Sequence, residues 1–198
     1  VAQGLNVAGV DEVGRGCIAG PVYSACVLLD FERLMSLPES ERSLIRDSKQ
    51  LSRQTRSKVI PIIEKVTIRW AIGIASVEEI ERLNILQATF IAMRRAVSSA
   101  DIAQHHLLLV DGNHKIAGYD GLQRPVVKGD SLCFSIAAAS ILAKEARDNY
   151  MRAQSEIYPN YGFDGHVGYG TPAHLEMIAA HGPCPLHRKT FEPIRSHI

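Results

Sequence analysis

No run of apolar residues in this chain reaches the ~18–20 positions that a membrane-crossing helix requires, and no basic-then-apolar leader opens it at Val1. The expectation is a protein without a membrane. The four cysteines, Cys17, Cys26, Cys133 and Cys184, are scattered and form no C-x-x-C pair. A chain of 198 residues can bury a core without covalent staples, so reduced thiols and a cytoplasmic location are expected. Internal repeats, low-complexity tracts and linker-like stretches are absent, which leaves one compact unit. Charge of one sign is also lacking: 22 Lys and Arg face 21 Asp and Glu, for a net +1. That balance says nothing about nucleic acid by itself, and it leaves room for local basic patches. With 46% hydrophobic and 22% charged residues, wholesale disorder is excluded.

What is present is an alternation of strand-like and helix-like segments. Val7–Val10 runs into Asp11 and Glu12, Val22–Leu29 is a second apolar run, and the turn Gly14-Arg15-Gly16 lies between them. Thr67–Ala75 alternates Ile68, Trp70, Ile72 and Ile74. Leu107–Val110 reads as a short buried strand ending at Asp111, and Pro125–Val127 as another ending near Asp130. Ser52 caps a helix through Ile63, with Pro61 as a kink. Ser76-Val77-Glu78-Glu79 is a capping box, and Ile85–Val97 has helical spacing. Ser131–Tyr150 reads as one long helix whose Ala137, Ala138, Ala139, Ser140 and Ala143 let it lie close to a sheet. Thr171-Pro172 starts a last helix. The class is α/β, a mixed sheet flanked by helices.

Asp11 and Glu12, Asp111 and Asp130 all follow apolar, strand-like runs. Strand ends in an α/β sheet open on a common crevice, where loops carry function. Four carboxylates converging there repel one another. A pair of divalent cations relieves the repulsion, and oxygen ligands suit Mg2+ or Mn2+. Two such ions ~4 Å apart clamp a phosphodiester for in-line cleavage. Setting those four acids aside leaves 17 against 22 basic residues, about +5 over the rest of the chain. Each acid also has an ordinary reading: Asp-Gly at a strand end is a common turn, and Asp130 can cap the helix after it.

The succession Ala8-Gly9-Val10-Asp11-Glu12-Val13-Gly14-Arg15-Gly16 resembles the opening signature of the ribonuclease HII family. Further matches follow in family order: Ala19-Gly20-Pro21-Val22, Asp47-Ser48-Lys49-Gln50-Leu51-Ser52, Asn84-Ile85-Leu86-Gln87-Ala88-Thr89 and Val110-Asp111-Gly112-Asn113. Val127-Lys128-Gly129-Asp130-Ser131, Ser140-Ile141-Leu142-Ala143-Lys144, Tyr161-Gly162-Phe163, Gly168-Tyr169-Gly170-Thr171 and His187-Arg188-Lys189-Thr190-Phe191 complete a set that spans nearly the whole chain. The resemblance implies a ribonuclease-H-like fold, with residues 1–198 a single catalytic domain and the part from about 150 to 198 a helical C-terminal extension. It implies that Asp11, Glu12, Asp111 and Asp130 bind two divalent ions, Mg2+ or Mn2+. It implies an endoribonuclease that cuts 5′ to a ribonucleotide, both in RNA–DNA hybrids and at single ribonucleotides embedded in duplex DNA. The ends would be a 3′-hydroxyl and a 5′-phosphate.

The same resemblance assigns Gly14, Arg15 and Gly16 to the ribose and phosphate, and Tyr169 to the next sugar, where a flat ring disfavours a 2′-hydroxyl. Glycine, lacking a Cβ, permits that close approach, and the 2′-hydroxyl is the mark of RNA. On the residues alone, Gly14 and Gly16 also make an ordinary turn, and Tyr169 an ordinary aromatic. Ser48 and Lys49 are candidate phosphate contacts, Lys49 equally a solvated lysine. Lys144 and Asp148 have the spacing of an exposed helical pair; alternatively Asp148 stands one layer behind the metal ligands. Arg188 and Lys189 are candidate nucleic-acid contacts or solvated charges. Cys17 replaces the family's common proline, and Val167 its usual lysine, which removes one phosphate contact.

His174, His181, Cys184 and His187 raise the question of zinc, but their spacing matches no compact finger, and packing of the last helix is the favoured reading. Two other classes compete with the junction-cutting enzyme. A different two-metal nuclease of the same fold is argued against by Gly14-Arg15-Gly16 together with Tyr169. A non-catalytic nucleic-acid-binding domain is argued against by the complete set of acids. The tail carries no added interaction motif, and a monomer is the default expectation.

Overall fold

Strand β2 (Val22–Leu29) is buried at all eight positions, because it lies inside a sheet that helices cover on both faces. The computed structural model describes residues 7–46 and 51–197. The other strands are β1 (Val7–Val13), β3 (Thr67–Ala75), β4 (Leu107–Asp111) and β5 (Gln123–Val126), in the order β3-β2-β1-β4-β5. β2 runs antiparallel to β1 and β3, and β4 runs parallel to β1 and β5. The helices are α1 (Phe31–Ser36), α2 (Glu39–Arg42), α3 (Arg53–Lys65), α4 (Val77–Leu83), α5 (Ile85–Ser99), α6 (Gly129–Leu132), α7 (Phe134–Ile157), α8 (Phe163–His166) and α9 (Pro172–His181). None among the described residues is long and apolar enough to cross a membrane.

Side chains alternate across a strand, and β2 shows the result. Ala25, Val27 and Leu29 join a core with Val59 and Ile63 of α3 and the small residues of α7. Cys26 and Leu28 join a second core, with Ala8, Val10, Leu108 and Val110 from the neighbouring strands and Phe90, Met93 and Val97 from α5. The small-residue face expected on α7 is real: Ala137, Ala138, Ala139, Ser140 and Ala143 are all buried. The approach is close enough that a Cβ on Gly9 of β1 would lie 2.3 Å from the backbone of Ser135. A third core forms where Ile18 and Ala19 meet Met151, Phe163, Ile178 and Leu186, so the C-terminal elements pack on the loop that follows β1.

The helix starts written into the sequence are present. Ser52 accepts from the Thr55 amide, and Ser76 with Glu79 forms the reciprocal capping box. Two expectations need correction. β1 does not close at Asp11 and Glu12 but continues to Val13, with Asp11 opposite Ala25 and Glu12 opposite Ser24. The single helix expected over Ser131–Tyr150 is two: α6 ends at Leu132, Cys133 is extended, and α7 runs on to Ile157. The start of α6 is tied to the site, because the amide of its first residue, Gly129, donates to a side chain of β4.

Candidate active site

β1 and β4 are parallel neighbours with Val10 opposite Val110, so the residues that follow, Asp11 and Asp111, come side by side at the same end of the sheet. Because Val10 and Val110 face α5, alternation turns these two carboxylates toward α7. Asp11 is 5% exposed. Its carboxylate accepts from the Glu12 amide at 2.7 Å and from Ser140 of α7. The Ser24 hydroxyl holds its carbonyl at 2.6 Å. Asp111 Oδ1 accepts the Gly129 amide at 2.7 Å, which seats buried Asp130 one residue from that contact. Glu12, next along β1, turns to the opposite face and lines a cavity with Phe90, Met93 and Asp111.

Burial first, then the carboxylates of Glu12 and Asp111, push Asp11 well above the ordinary aspartate value. Arg15 is exposed and reaches back to Glu12 at 3.3 Å. Among the described residues, no group of three His, Cys, Asp or Glu side chains is already arranged to hold a metal ion. The structure therefore brings Asp11, Glu12 and Asp111 together around the strand ends, with Asp130 attached through Gly129.

The loop Gly14-Arg15-Gly16 leaves the end of β1 and is held from behind by two arginines. Gly14 has φ +91°, and a Cβ there would stand 2.2 Å from Arg147 Nε, so position 14 needs glycine on both counts. Arg147 and Arg188 are both 0% exposed. Arg188 donates to the carbonyls of Gly14 (2.6 Å), Arg15 (3.0 Å) and Gly20 (2.8 and 2.9 Å). Arg147 donates to Pro21 (3.0 Å), Ala19 (2.9 Å) and Val167 (2.8 Å). Arg188 was expected on the surface, as a nucleic-acid contact or a solvated charge; instead it is interior, and Arg147 carried no expectation at all. Its neighbour Lys189 is exposed. A fully buried arginine whose donors all meet carbonyls leaves no mark in sequence that separates it from a solvated one.

Tyr169 is 41% exposed, with Lys144 Nζ 5.6 Å from its ring centre. Burial, then Cys17, raises its phenol above the ordinary value, and its hydroxyl is hydrogen-bonded with the Cys17 thiol. The backbone before it is held in the left-handed region at Val167 (φ 45°) and Gly168 (φ 89°), and the amides of Ile18 and Ala19 both donate to Gly168. Val167 is itself buried in the third core, which explains why a solvent-seeking lysine is absent here. Asp148 is 3% exposed and is no simple surface pair. It binds Lys144 at 2.7 Å and Arg56 of α3 at 2.8 Å. Ser48 and Lys49 lie outside the described residues.

Of the histidines expected to pack or cap the last helix, His174 and His187 are buried, whereas His181 is exposed. His174 and His187 stand Nε2 to Nε2 at 3.0 Å, and His166 stacks on His174 at 4.0 Å between ring centres. Burial, ahead of every other cause, holds both His174 and His187 down at about 4, against the ordinary 6.5. The groups facing the pair are His166, Tyr161 and the Cys184 backbone. Both rings are neutral in the folded protein, while the unfolded chain takes up their protons below pH 6.5. The stability they contribute is thus full above pH 6.5 and lost as pH falls to about 4. The melting temperature of the wild-type protein is expected to drop over that interval, and His174→Gln to flatten the drop. A level wild-type profile in scanning calorimetry would contradict it.

A sequence profile of the family described as Ribonuclease HII matches residues 8–194. The chain is 50% identical over 191 residues to ribonuclease HII of Nitrosomonas europaea, covering 96% of this chain and 84% of that protein. It is 46% identical over 192 residues to ribonuclease HII of Nitrosococcus oceani, covering 97% and 91%. Its backbone matches the ribonuclease H2 structure from Pyrococcus horikoshii with a TM-score of 0.78 at 24% identity, over 97% of this chain and 96% of that one. It matches Bst-RNase HIII in complex with Mn2+ with a TM-score of 0.73 at 20% identity, over 98% of this chain and 69% of that one. At those identities the likeness is one of fold: the mixed, helix-flanked sheet is ribonuclease-H-like. With a profile that spans nearly the whole chain and relatives that share about half of its residues, the chain belongs to the ribonuclease HII family of ribonuclease H enzymes.

Proposed function

We propose that this protein hydrolyses the phosphodiester on the 5′ side of a ribonucleotide, in RNA–DNA hybrids and at single ribonucleotides embedded in duplex DNA, leaving 3′-hydroxyl and 5′-phosphate ends. The observation that carries the reading is Asp11, buried between the charges of Glu12 and Asp111 on the strand that leads into the arginine-held loop. Acids are pressed together at the mouth of a backbone cradle. All the donors are oxygens, and among the described residues no buried cation answers Asp11, which fits hard divalent ions. Asp11, Glu12, Asp111 and Asp130 would hold two of them, Mg2+ or Mn2+. When bound, these ions supply the positive charge that activates water and stabilises the leaving oxygen.

The chain's own groups recognise the substrate. A Cβ built on Gly16 meets nothing within 4 Å, and its φ is not positive. The fold itself makes no demand for glycine there, and the open space at this position leaves a ribose room to approach the backbone. Arg15 exchanges Glu12 for a phosphate. The half-exposed Tyr169 ring, under Lys144, meets the next sugar and disfavours a 2′-hydroxyl. Asp148 acts one layer behind, fixing Lys144. Ser48 and Lys49, which precede α3 in the sequence, bind phosphate. The chain acts as one catalytic unit, residues 150–198 forming its extension, as a monomer in the cytoplasm; its four free cysteines agree with that compartment.

The test is cleavage of a DNA duplex carrying one ribonucleotide, and of a continuous RNA–DNA hybrid, with Mg2+ and with Mn2+. A single cut 5′ to the ribonucleotide is expected. Tyr169→Ala should lower cutting at the lone ribonucleotide by roughly tenfold or more, the scale of one lost aromatic–nucleotide contact, and affect the hybrid less. Robust hybrid cutting without a cut at the lone ribonucleotide would discard the roles of Gly14–Gly16 and Tyr169. Silence on both substrates would overturn the whole reading.

A further inference from the structure

His174 of α9 and His187 are buried and take no part in the chemistry proposed above. The positions of their ring hydrogens follow from their partners. The Tyr169 carbonyl only accepts, so His174 Nδ1, 2.8 Å from it, carries the hydrogen. Neutral His174 then has a bare Nε2, and the nitrogen 3.0 Å away, His187 Nε2, donates to it. His187 is left with a bare Nδ1, to which the Cys184 amide donates at 2.8 Å. One directed chain of hydrogen bonds therefore runs from the Cys184 amide through His187 and His174 to the Tyr169 carbonyl.

Its anchor is the segment that also holds the other loop. Gly20 donates to the Leu186 carbonyl at 2.8 Å, and the Arg188 amide to Ile18 at 2.9 Å, so this segment pairs with the chain after Gly16. Two consecutive residues thus face two ways. The Arg188 side chain fixes the carbonyls of Gly14 and Arg15, while His187, through His174, fixes that of Tyr169. The second loop needs such a brace, since Val167 is β-branched and left-handed, a conformation that persists only where its surroundings impose it.

We infer that His187 and His174 are positioning residues for sugar discrimination, the pair setting the placement of Tyr169 relative to the Gly14–Gly16 loop. The inference rests on the role proposed above for Tyr169. Two replacements at one buried position separate positioning from bulk stability. Asn reaches as far as Nδ1 and still donates to the Tyr169 carbonyl; Gln reaches Nε2, still accepts from His187, and leaves that carbonyl without its imidazole donor. Asn is one methylene smaller than Gln and leaves the larger void, so a ratio lower in His174→Gln than in His174→Asn cannot come from lost packing.

The readout is the ratio of kcat/KM on the lone ribonucleotide to that on the continuous hybrid. His174→Gln should lower the ratio roughly three- to tenfold, the worth of one positioned hydrogen bond, and His174→Asn should restore most of it. Equal, wild-type ratios in both variants, with the ratio still collapsed in Tyr169→Ala, would overturn the relay and spare the reading of Tyr169. An unchanged ratio in Tyr169→Ala would overturn both. If neither variant folds, imidazole 15N spectra of the wild-type protein decide. Hydrogen on Nδ1 of His174 and on Nε2 of His187 supports the relay, and the opposite tautomers refute it.

Discussion

Asp11→Asn is expected to abolish cleavage and, in the absence of metal, to raise the melting temperature at pH 7. The loss should be roughly 10³-fold or more, the scale on which one member of a charge-stabilising set acts. The gain in stability comes from the same geometry. Asp11 is buried against Glu12 and Asp111, so its charged form is disfavoured in the folded protein. The folded state holds the Asp11 proton more tightly than the unfolded chain does. The penalty is therefore absent below the ordinary value of 3.8 and grows as pH rises through the raised one. Asn removes it, so the stabilisation should appear at neutral pH with chelator present and vanish in acid. Mg2+ should raise the wild-type melting temperature, since a ligand of the native state stabilises it, and should do less for Asp11→Asn. Retained cleavage would remove Asp11 from the reaction. A lower melting temperature at pH 7 without metal would show that its charge is already compensated.

Arg188→Met should be the most damaging single substitution away from the acids. It strips donors from the carbonyls of Gly14, Arg15 and Gly20 in a place where the arginine is fully buried. Unsatisfied buried acceptors and a lost buried cation together cost about 3–5 kcal/mol, which for a chain of this size lowers the melting temperature by ~10 °C or more. Arg188→Lys should rescue little, because one ammonium cannot span three separate carbonyls as a planar guanidinium does. Burial, and then the charge of Arg147, already depress Arg188 to about 10. Arg147→Met should do similar harm, yet the double variant should lose less than the two single losses added, since their mutual repulsion disappears too. A melting temperature for Arg188→Met indistinguishable from wild type would show that the loop does not depend on this brace.

The strands were legible because their spacing alone reports burial. The eight buried residues of β2 are an unbroken apolar or small run, and the limits of β3 were readable as they stand. The acids stood out in the sequence by their places at or after apolar runs; the fold puts Asp11, Glu12 and Asp111 near one end of the sheet, and their role in catalysis is the proposal made above. The break at Cys133 was not legible. Local propensity favours one continuous helix there, and nothing within a few residues marks the extended Cys133 between α6 and α7.

What the sequence by itself determined is the α/β class, the small-residue face of α7, the helix caps and the carboxylate types, because these depend on periodicity and side-chain chemistry within a few residues. What only the tertiary structure decided is the direction in which each polar group points. Adjacent Asp11 and Glu12 diverge to opposite faces because they lie within a strand. Asp148 is interior because α3 delivers Arg56 to it. Arg188 turns inward because it closes on Gly14, 174 residues earlier, and its neighbour His187 is turned toward His174 on a segment that also pairs with Gly20. A side chain's partner is chosen by that closure, and no local pattern of residues encodes it.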